Sequence, residues 1–266
     1  MVLRGASVVH LHPDAGCVPV ACRDCGVYRL CVPLGLNQEE MSLLDHIVKR
    51  KQTIRRGQIM FQAGQALDYI YAIRSGSAKT YLTTEDGRVQ ITGLHVPGEL
   101  LGLSAIDSKR YSCEAMALET TSVCEVSVER LEAVADRIPA VHYQMLRIMS
   151  NQICDNEHLM LLLGKHSAEE RLAAFLLGLS RRFAARNYSA TQFNFSMSRG
   201  DIGSYLGMAE ETVCRVLSRL QARGLICVQR RQVAVLDLEA LQDLAKERVA
   251  TRALLPTLAR ITASPA

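Results

Sequence analysis

The sequence lacks a long apolar run, and among its 266 residues there is no tryptophan. The missing tryptophan excludes no class of protein. The missing apolar run is informative, because a membrane-spanning helix needs about 18 or more consecutive apolar residues. Arg4, His10 and His12 interrupt the short apolar stretches at the N-terminus, which argues against a secretory signal. We therefore expect a cytoplasmic protein without a membrane partner.

Motifs of common enzyme classes are also missing from the sequence. No glycine-rich dinucleotide-binding fingerprint follows a strand pattern, and no nucleophile, base and orienting residue stand out as a set. A redox enzyme that transfers electrons through its cysteines is an alternative with little support. Turnover with a reductant would distinguish it from the non-enzymatic protein that we expect.

Composition and charge favour a folded protein with a basic C-terminal part. Hydrophobic residues make up 48% and charged residues 22% of the chain, which is typical of folded proteins, and the length suits two modest domains. Residues 166–232 contain ten Lys or Arg against five Asp or Glu, whereas residues 1–165 carry a net charge of about −1. Such a basic region suits contact with DNA phosphates, although a solvated basic surface is the alternative.

The middle of the chain predicts short strands. Glycines divide residues 53–128 at short intervals, and polar and apolar residues alternate over positions 68–73. Asp86-Gly87 is a typical hairpin turn. Short strands at this spacing predict a barrel or a jelly roll.

Residues 139–165 predict one long helix, about 39 Å at 1.5 Å per residue. Six of its residues recur at alternating spacings of three and four, as in a two-stranded coiled coil. We name them the seam residues: Leu146, Met149, Ile153, Asn156, Met160 and Leu163. Packing of this stripe on its own domain is the alternative. Because the helix is longer than a small domain needs, we expect a homodimer, with Asn156 weakening the seam but setting its register.

The C-terminal third predicts a winged helix-turn-helix. A capping box at 167–170 starts a helix that reaches about Arg186. Ser198 caps a second helix that ends at Gly207, and a third runs from about Ala209 to Gly224. Residues 225–235 then read as strand, basic turn and strand, which is the pattern of a wing.

The third of these helices carries the expected DNA contacts. Its exposed Arg215 can donate to guanine, its Glu211 can accept from the cytosine amino group, and Cys214 lies beside them. We expect Thr212 and Arg219 to hold phosphates. The full predicted DNA-binding set is Ser198, Arg199, Glu211, Thr212, Cys214, Arg215 and Arg219. The alternative for Glu211 and Arg215 is an ion pair on the helix surface.

Nine cysteines in a reducing compartment argue against a disulfide framework. Cys22, Cys25 and Cys31 follow a C-x2-C-x5-C spacing, and gathered thiolates select iron–sulfur clusters or zinc. A fourth ligand is needed, and spacing does not choose among the remaining candidates: Cys17, Cys113, Cys124 and Cys154. As the alternative to a ligand role, ordinary burial or a bystander surface thiol is expected for five cysteines: Cys17, Cys113, Cys154, Cys214 and Cys227.

Several motifs together resemble the Crp/Fnr family of bacterial regulators and, within it, the oxygen-responsive FNR branch. They are Cys22-Arg23-Asp24-Cys25 with Cys31, Val123-Cys124-Glu125, the run 168–175 and the run 198–203. The similarity extends from about Cys22 to about Leu244. Its motifs are highly specific in combination.

The resemblance implies an α+β fold with a cyclic-nucleotide-binding-like β-roll, or jelly roll, as sensor. It divides the chain into a cysteine segment (1–35), the sensor (36–137), a dimerisation helix (138–165), a winged helix-turn-helix (166–245) and a tail without an assigned role (246–266). It implies that Cys124 joins Cys22, Cys25 and Cys31 in holding a 4Fe-4S cluster. It also implies that Glu211 and Arg215 read a palindromic double-stranded site and that the protein contacts RNA polymerase. Cys214 stands where the family usually has serine, which leaves one base undefined.

The expected function is that of an oxygen-sensing transcription regulator, mainly an activator of anaerobic-metabolism genes. An intact cluster would favour the dimer on DNA, and oxygen would dismantle the cluster and release the DNA. Two alternatives keep the same fold: a zinc-stabilised regulator that answers another signal, and a cyclic-nucleotide sensor. The second needs a cation for the phosphate, but Glu114 stands at the corresponding position and would repel it. We therefore expect no cyclic nucleotide to bind.

Overall fold

A computed structural model of the protein describes residues 21–246. These residues form two compact units, the first ending at Glu157 and the second beginning at His158. Cys17 and the tail beyond Lys246 lie outside the described residues, so the predictions for them stay as they are.

The first unit begins with two 3₁₀ helices, Cys22–Asp24 and Tyr28–Leu30, followed by helix α1, Gln38–Ile47. Helix α1 was not among the predicted elements, although its start carries a clear local signal. The Asn37 side chain accepts the Glu40 N–H at 2.9 Å, and the Glu40 carboxylate accepts the Asn37 N–H at 2.8 Å. This capping box satisfies backbone donors that the first turn leaves unpaired.

Eight strands follow, in two four-stranded antiparallel sheets with the orders β1-β8-β3-β6 and β2-β7-β4-β5. Their bounds are β1 Val48–Ile54, β2 Ile59–Phe61, β3 Tyr69–Ser75, β4 Ala78–Thr83, β5 Val89–His95, β6 Leu100–Leu101, β7 Glu114–Ala117 and β8 Thr121–Ser127. The predicted turn at Asp86-Gly87 joins β4 to β5, with Gly87 at a φ of 81°. The jelly-roll prediction is confirmed, except that its first strand begins earlier than expected, at Val48.

The core of this unit lies between the sheets and the helices that cover them. Phe61, Ile70, Ile73 and Val123 are almost completely buried. Burial alternates along β7 but extends over the four consecutive residues 70–73 of β3. Leu44 of α1 joins the same core. Two further helices close the unit: α2, Val128–Ala135, which the sequence analysis missed, and α3, Pro139–Lys165, which it predicted. The division between the two units falls inside α3.

The second unit contains the predicted winged helix-turn-helix. Its elements are α4 Ala168–Ala184, β9 Gln192–Asn194, α5 Arg199–Leu206, α6 Glu210–Ala222, β10 Ile226–Gln229, β11 Gln232–Val235 and α7 Leu238–Leu244. The Ser198–Asp201 capping box starts α5, and Gly207 ends it with the left-handed φ of 62°. The predicted wing is the β10–β11 hairpin. Strand β9 completes its sheet in the order β10-β11-β9, and neither β9 nor α7 was predicted.

Candidate functional sites: a thiol pocket and a helix-turn-helix

Four predicted cysteines line one pocket in the first unit. Cys22, Cys25 and Cys31 come from the N-terminal segment, and Cys124 comes from the middle of β8. The pocket encloses about 620 Å³ of space between atoms, including the solvent at its mouth. Cys113 is not among its lining residues. No cysteine of the described part of the chain is in a disulfide.

The C-x2-C-x5-C spacing has a local structural reason. Backbone N–H groups of Cys25, Tyr28, Cys31 and Leu34 each donate to the carbonyl oxygen three residues earlier, at 3.1 to 3.3 Å. Residues three apart in such turns tend to lie on the same side of the chain. Positions 22, 25, 28 and 31 follow this interval, and all four line the pocket. The turns therefore present three thiols and the Tyr28 ring to one cavity.

Helix α1 anchors the beginning of this segment. The Cys22 N–H donates to Asp45 Oδ1 at 2.9 Å. Burial raises the pKa of the Cys22 thiol well above its usual range, and the hydrogen bond to the Asp45 carboxylate raises it further. Cys31 and Cys124 add smaller effects of the same sign, which reflects how near the thiols are to one another. Asp45 is thus a residue of this site that the cysteine motif did not reveal.

The Cys31 thiol lies deeper in the site. Burial raises the pKa of Cys31 to about 12, partly offset by the Val32 N–H, and nearby Cys124 and Cys25 raise it further. Thiols in such surroundings keep their protons at neutral pH unless a metal replaces them, because metal ligation requires the thiolate. A metal group bound by these thiols would therefore displace their protons.

The rest of the pocket is mostly apolar. Val32, Leu44 and Ile73 are buried residues of its lining, and Arg74 contributes a cationic side chain. An apolar lining limits the access of water to the thiols. Within residues 21–246, no three His, Cys, Asp or Glu side chains converge closely enough to hold a single metal ion. The four thiols stand around a cavity instead of around a point.

Gly98 allows the cysteine segment to lie close to the β-sheet unit. A Cβ atom at this position would lie only 2.8 Å from Leu30 Cβ. The φ of Gly98 is +91°, a conformation that residues with side chains rarely adopt. Leu30 directly precedes Cys31, so the approach of Leu30 to Gly98 helps to set the position of that thiol.

The seam residues of α3 are mostly exposed within one chain. Leu146, Ile153 and Met160 each expose more than half of their surface, and Asn156 is also exposed. Met149 and Leu163 are half-buried. Tyr143 is 71% exposed one turn before Leu146, and the sequence analysis did not include it. An apolar stripe of this kind on a long helix suits a partner helix.

Helix α6 has one buried face and one exposed face. Val213, Val216, Leu217 and Leu220 are buried, while Glu211, Cys214 and Arg215 are exposed. The described residues contain no ion pair between Glu211 and Arg215. Their side chains are therefore available for other contacts, as a reader of base edges requires.

Other members of the predicted DNA-binding set make contacts within the unit. Arg219 forms an ion pair with Glu169 at 3.1 Å. The Arg199 guanidinium lies over the Phe195 ring at 4.6 Å and donates to the Arg230 carbonyl oxygen at 3.1 Å. Burial lowers the pKa of Arg199. Arg199 thus supports the wing.

The remaining two members of the set differ in their surroundings. The Ser198 hydroxyl is occupied by the α5 cap, where it accepts the Asp201 N–H at 3.0 Å. Thr212 is half-buried at the start of α6. The DNA roles of all seven residues of the set stay predictions.

Arg171 also makes contacts within the helix-turn-helix unit, although it was not among the predicted DNA-binding residues. From α4, its guanidinium donates to the carbonyl oxygens of Leu163 at 2.7 Å and His166 at 2.9 Å. It also donates to those of Leu206 at 3.1 Å and Gly207 at 3.3 Å. Within the second unit, one side chain thus ties the end of α3 to the turn of the helix-turn-helix.

The β-sheet unit has a carboxylate at the position considered for a phosphate-binding cation. Glu114 of β7 lies opposite Tyr81 of β4. Burial raises the pKa of Tyr81, and the hydrogen bond to the Glu114 carboxylate raises it further. A carboxylate held in this way repels a phosphate.

Two family models match the chain: a Crp-like helix-turn-helix domain over residues 170–244 and a cyclic nucleotide-binding domain over residues 51–137. The transcriptional activator protein Anr of Pseudomonas protegens is 49% identical over 216 residues, which are 81% of this chain and 88% of that protein. The fumarate and nitrate reduction regulatory protein of Escherichia coli K12 is 45% identical over 232 residues, 87% of this chain and 92% of that protein.

A solved structure is also similar. It is that of FixK2 from Bradyrhizobium japonicum, with a TM-score of 0.67 and 32% identity, covering 73% of this chain and 96% of that one. The predicted combination of a β-roll, a long helix and a helix-turn-helix is thereby confirmed. None of the described helices is both long and apolar enough to span a membrane.

Proposed function

Because the chain belongs to the Crp/Fnr family of transcription regulators and is not an enzyme, we propose that it is an oxygen-sensing activator. In this proposal it binds a palindromic DNA site as a homodimer while a 4Fe-4S cluster occupies the thiol pocket. It acts in the cytoplasm, with a sensor at 36–137, a dimerisation helix at 138–165 and a reader at 166–245.

The four thiols that share one cavity carry the proposal. Cys22, Cys25, Cys31 and Cys124 would hold the cluster, and their soft sulfur donors suit iron. The bound cluster would supply a redox-sensitive centre that oxygen can oxidise and dismantle. The chain itself positions the donors through the 22–34 turns and α1, and its apolar lining limits water around them.

Zinc is the alternative occupant of the thiol pocket. Zinc would draw four thiolates to about 2.3 Å around one ion. Zinc and iron analysis of the purified protein distinguishes the two occupants of the pocket that the four thiols line. A four-iron cluster is ligated by four cysteines spread around its surface and therefore suits donors that surround a cavity.

The contacts of Glu114 argue against a cyclic nucleotide as the signal. The β-roll resembles nucleotide-binding domains in its fold. Its Glu114 carboxylate, hydrogen-bonded by Tyr81, would repel the phosphate at the position where a cation is needed. We therefore assign no cyclic nucleotide to this protein.

The α3 seam and the exposed face of α6 account for DNA recognition in this proposal. Pairing of two α3 helices would bury the exposed seam side chains and give the molecule two-fold symmetry. Two readers related by this symmetry match a palindrome whose half-sites lie one helical turn apart. Glu211 and Arg215 would contact base edges, and Arg219 would exchange its Glu169 partner for a phosphate.

The names of the relatives support activation as the outcome. Anr is named a transcriptional activator, and other relatives are named anaerobic regulatory proteins. We propose that the DNA-bound dimer of this chain likewise activates genes of anaerobic metabolism by contacting RNA polymerase.

The experiment is an anaerobic purification with measurements of iron, sulfide, visible absorption and operator binding, before and after exposure to air. We expect four iron and four sulfide per chain and loss of operator binding in air. The matched variants are Cys124→Ser and Cys113→Ser. Both thiols are half-buried, but only Cys124 lines the pocket. Only Cys124→Ser should abolish the cluster.

Each contrary result points to a specific error. A colourless, iron-free protein that binds its operator equally well before and after air would refute the sensing proposal. Stoichiometric zinc in place of iron would support the zinc-stabilised alternative. Loss of iron in Cys113→Ser but not in Cys124→Ser would reassign the fourth ligand.

A further inference from the structure

A buried glutamine links helix α3 to the cysteine segment. Gln144 is only 6% exposed, although it is a long polar residue. Its side-chain Nε2 donates to the backbone carbonyl oxygen of Cys31 at 3.2 Å, across 113 residues of sequence. Buried amide groups need such partners, because an amide that loses its acceptor keeps the full cost of leaving water.

The acceptor belongs to a residue of the thiol pocket. The Cys31 side chain lines the pocket, while the Cys31 carbonyl oxygen faces two donors, Gln144 Nε2 and the Leu34 N–H, the latter also at 3.2 Å. A movement of the Cys31 thiol within the pocket therefore also displaces the carbonyl group that α3 binds.

The side of α3 opposite Gln144 carries the first exposed residues near the seam. Residues three or four apart on a helix share a face, so Gln144 lies with Val141, which is fully buried, and with Ile148, which packs against the core. Tyr143 and Leu146 point away from this face and are exposed. The Gln144–Cys31 bond thus holds the turn of α3 from which the seam begins.

We propose that Gln144 is a positioning residue that couples the state of the thiol pocket to dimerisation through α3. This inference rests on the proposed function. When the Cys31 thiolate is ligated, its carbonyl group stays in place and Gln144 holds the first turns of α3 against the sensor. When the ligand is lost and the segment moves, the amide loses its acceptor and those turns loosen. Coupling between two binding events is reciprocal, so dimerisation must also strengthen retention of the cluster.

The test compares the dimer dissociation constant of cluster-loaded and iron-free protein by anaerobic sedimentation equilibrium. The ratio of the two constants measures the coupling. Gln144→Met keeps the size and the burial of the side chain but removes the donor. The matched control, Gln152→Met, makes the same change on the same helix at a half-buried position. One buried hydrogen bond corresponds to about fivefold to tenfold per protomer, and the dimer contains Gln144 twice. We therefore expect Gln144→Met to reduce the wild-type ratio about 25-fold to 100-fold and Gln152→Met to leave it unchanged.

The ratio separates coupling from a purely structural role, which would shift both dissociation constants equally. If the wild-type ratio is well above one and Gln144→Met keeps the same ratio, the role of Gln144 is overturned but the proposed function is not. A wild-type ratio of one overturns the proposed function, and the coupling with it.

Hydrogen exchange of the unmodified protein provides a second measurement that does not depend on the variant folding. Loading the cluster should slow amide exchange in residues 139–150 of α3, because the Gln144 bond then holds these turns. Equal exchange rates in loaded and iron-free protein would overturn the inference.

Discussion

Replacement of Ile153 by alanine tests whether the α3 seam is the dimer interface. Ile153 is 59% exposed within one chain, so more than half of its surface remains to be buried by a partner. The change to alanine removes about three methylene equivalents at about 0.8 kcal/mol each, or about 2.4 kcal/mol for complete burial.

Two corrections apply to this free energy: Ile153 is only partly exposed in one chain, and the dimer contains it twice. Only the 59% that is exposed in one chain counts toward association, which gives about 1.4 kcal/mol per protomer. A two-fold interface contains the residue twice, so the dimer should lose about 2.8 kcal/mol. This corresponds to about a 100-fold increase in the dimer dissociation constant.

The assay is sedimentation equilibrium of anaerobic, cluster-loaded protein over a range of concentrations. Leu43→Ala is the matched control, since Leu43 is also a helical aliphatic residue and is 50% exposed, but it lies on α1. We expect Leu43→Ala to leave the dissociation constant unchanged. If Ile153→Ala also changed it by less than about threefold, the reasoning that places Ile153 in the interface would be refuted.

The remaining predictions concern the reader and the α4 cap. Arg215→Ala should weaken binding to the specific operator about 10-fold to 100-fold and relax the preference at one base pair, because an arginine–guanine contact is lost; a uniform loss across all sequences in a competition assay would mark Arg215 as a phosphate contact. The Glu170 carboxylate pairs with Lys246 and accepts the Ser167 N–H at 2.7 Å, and these contacts lower its pKa from 4.5 to about 2. Its contribution to stability is therefore present above about pH 4.5 and is lost as the pH falls toward 2. Glu170→Gln should lower the free energy of unfolding at pH 7, by at most about 1 kcal/mol because solvent screens the ion pair, but should not lower it near pH 2; a difference that does not vary with pH in thermal unfolding would contradict this assignment.

Local signals explain which elements could be predicted from the sequence. Helices α3 and α5 were found because apolar spacing and the Ser198 cap act over a few residues. The β4–β5 turn follows from Asp86-Gly87 in the same way. Helix α1 had an equally local signal in the Asn37–Glu40 capping box, which the analysis overlooked. The edge strand β9 has only three residues and pairs with β11 far along the chain, so no local sequence pattern predicts it.

The candidate sites also combine features of continuous segments with features that depend on long-range contacts. Sequence periodicity predicts the three-residue interval of the N-terminal thiols, the apolar stripe of α3 and the exposed face of α6, because each lies within a continuous segment. Residue spacing alone does not show that Cys124 borders the same pocket or that Gln144 reaches the Cys31 carbonyl oxygen, because the folding of distant segments brings these groups together. These contacts join residues about a hundred positions apart, and sheet register and helix packing determine which of many equivalent side chains meet.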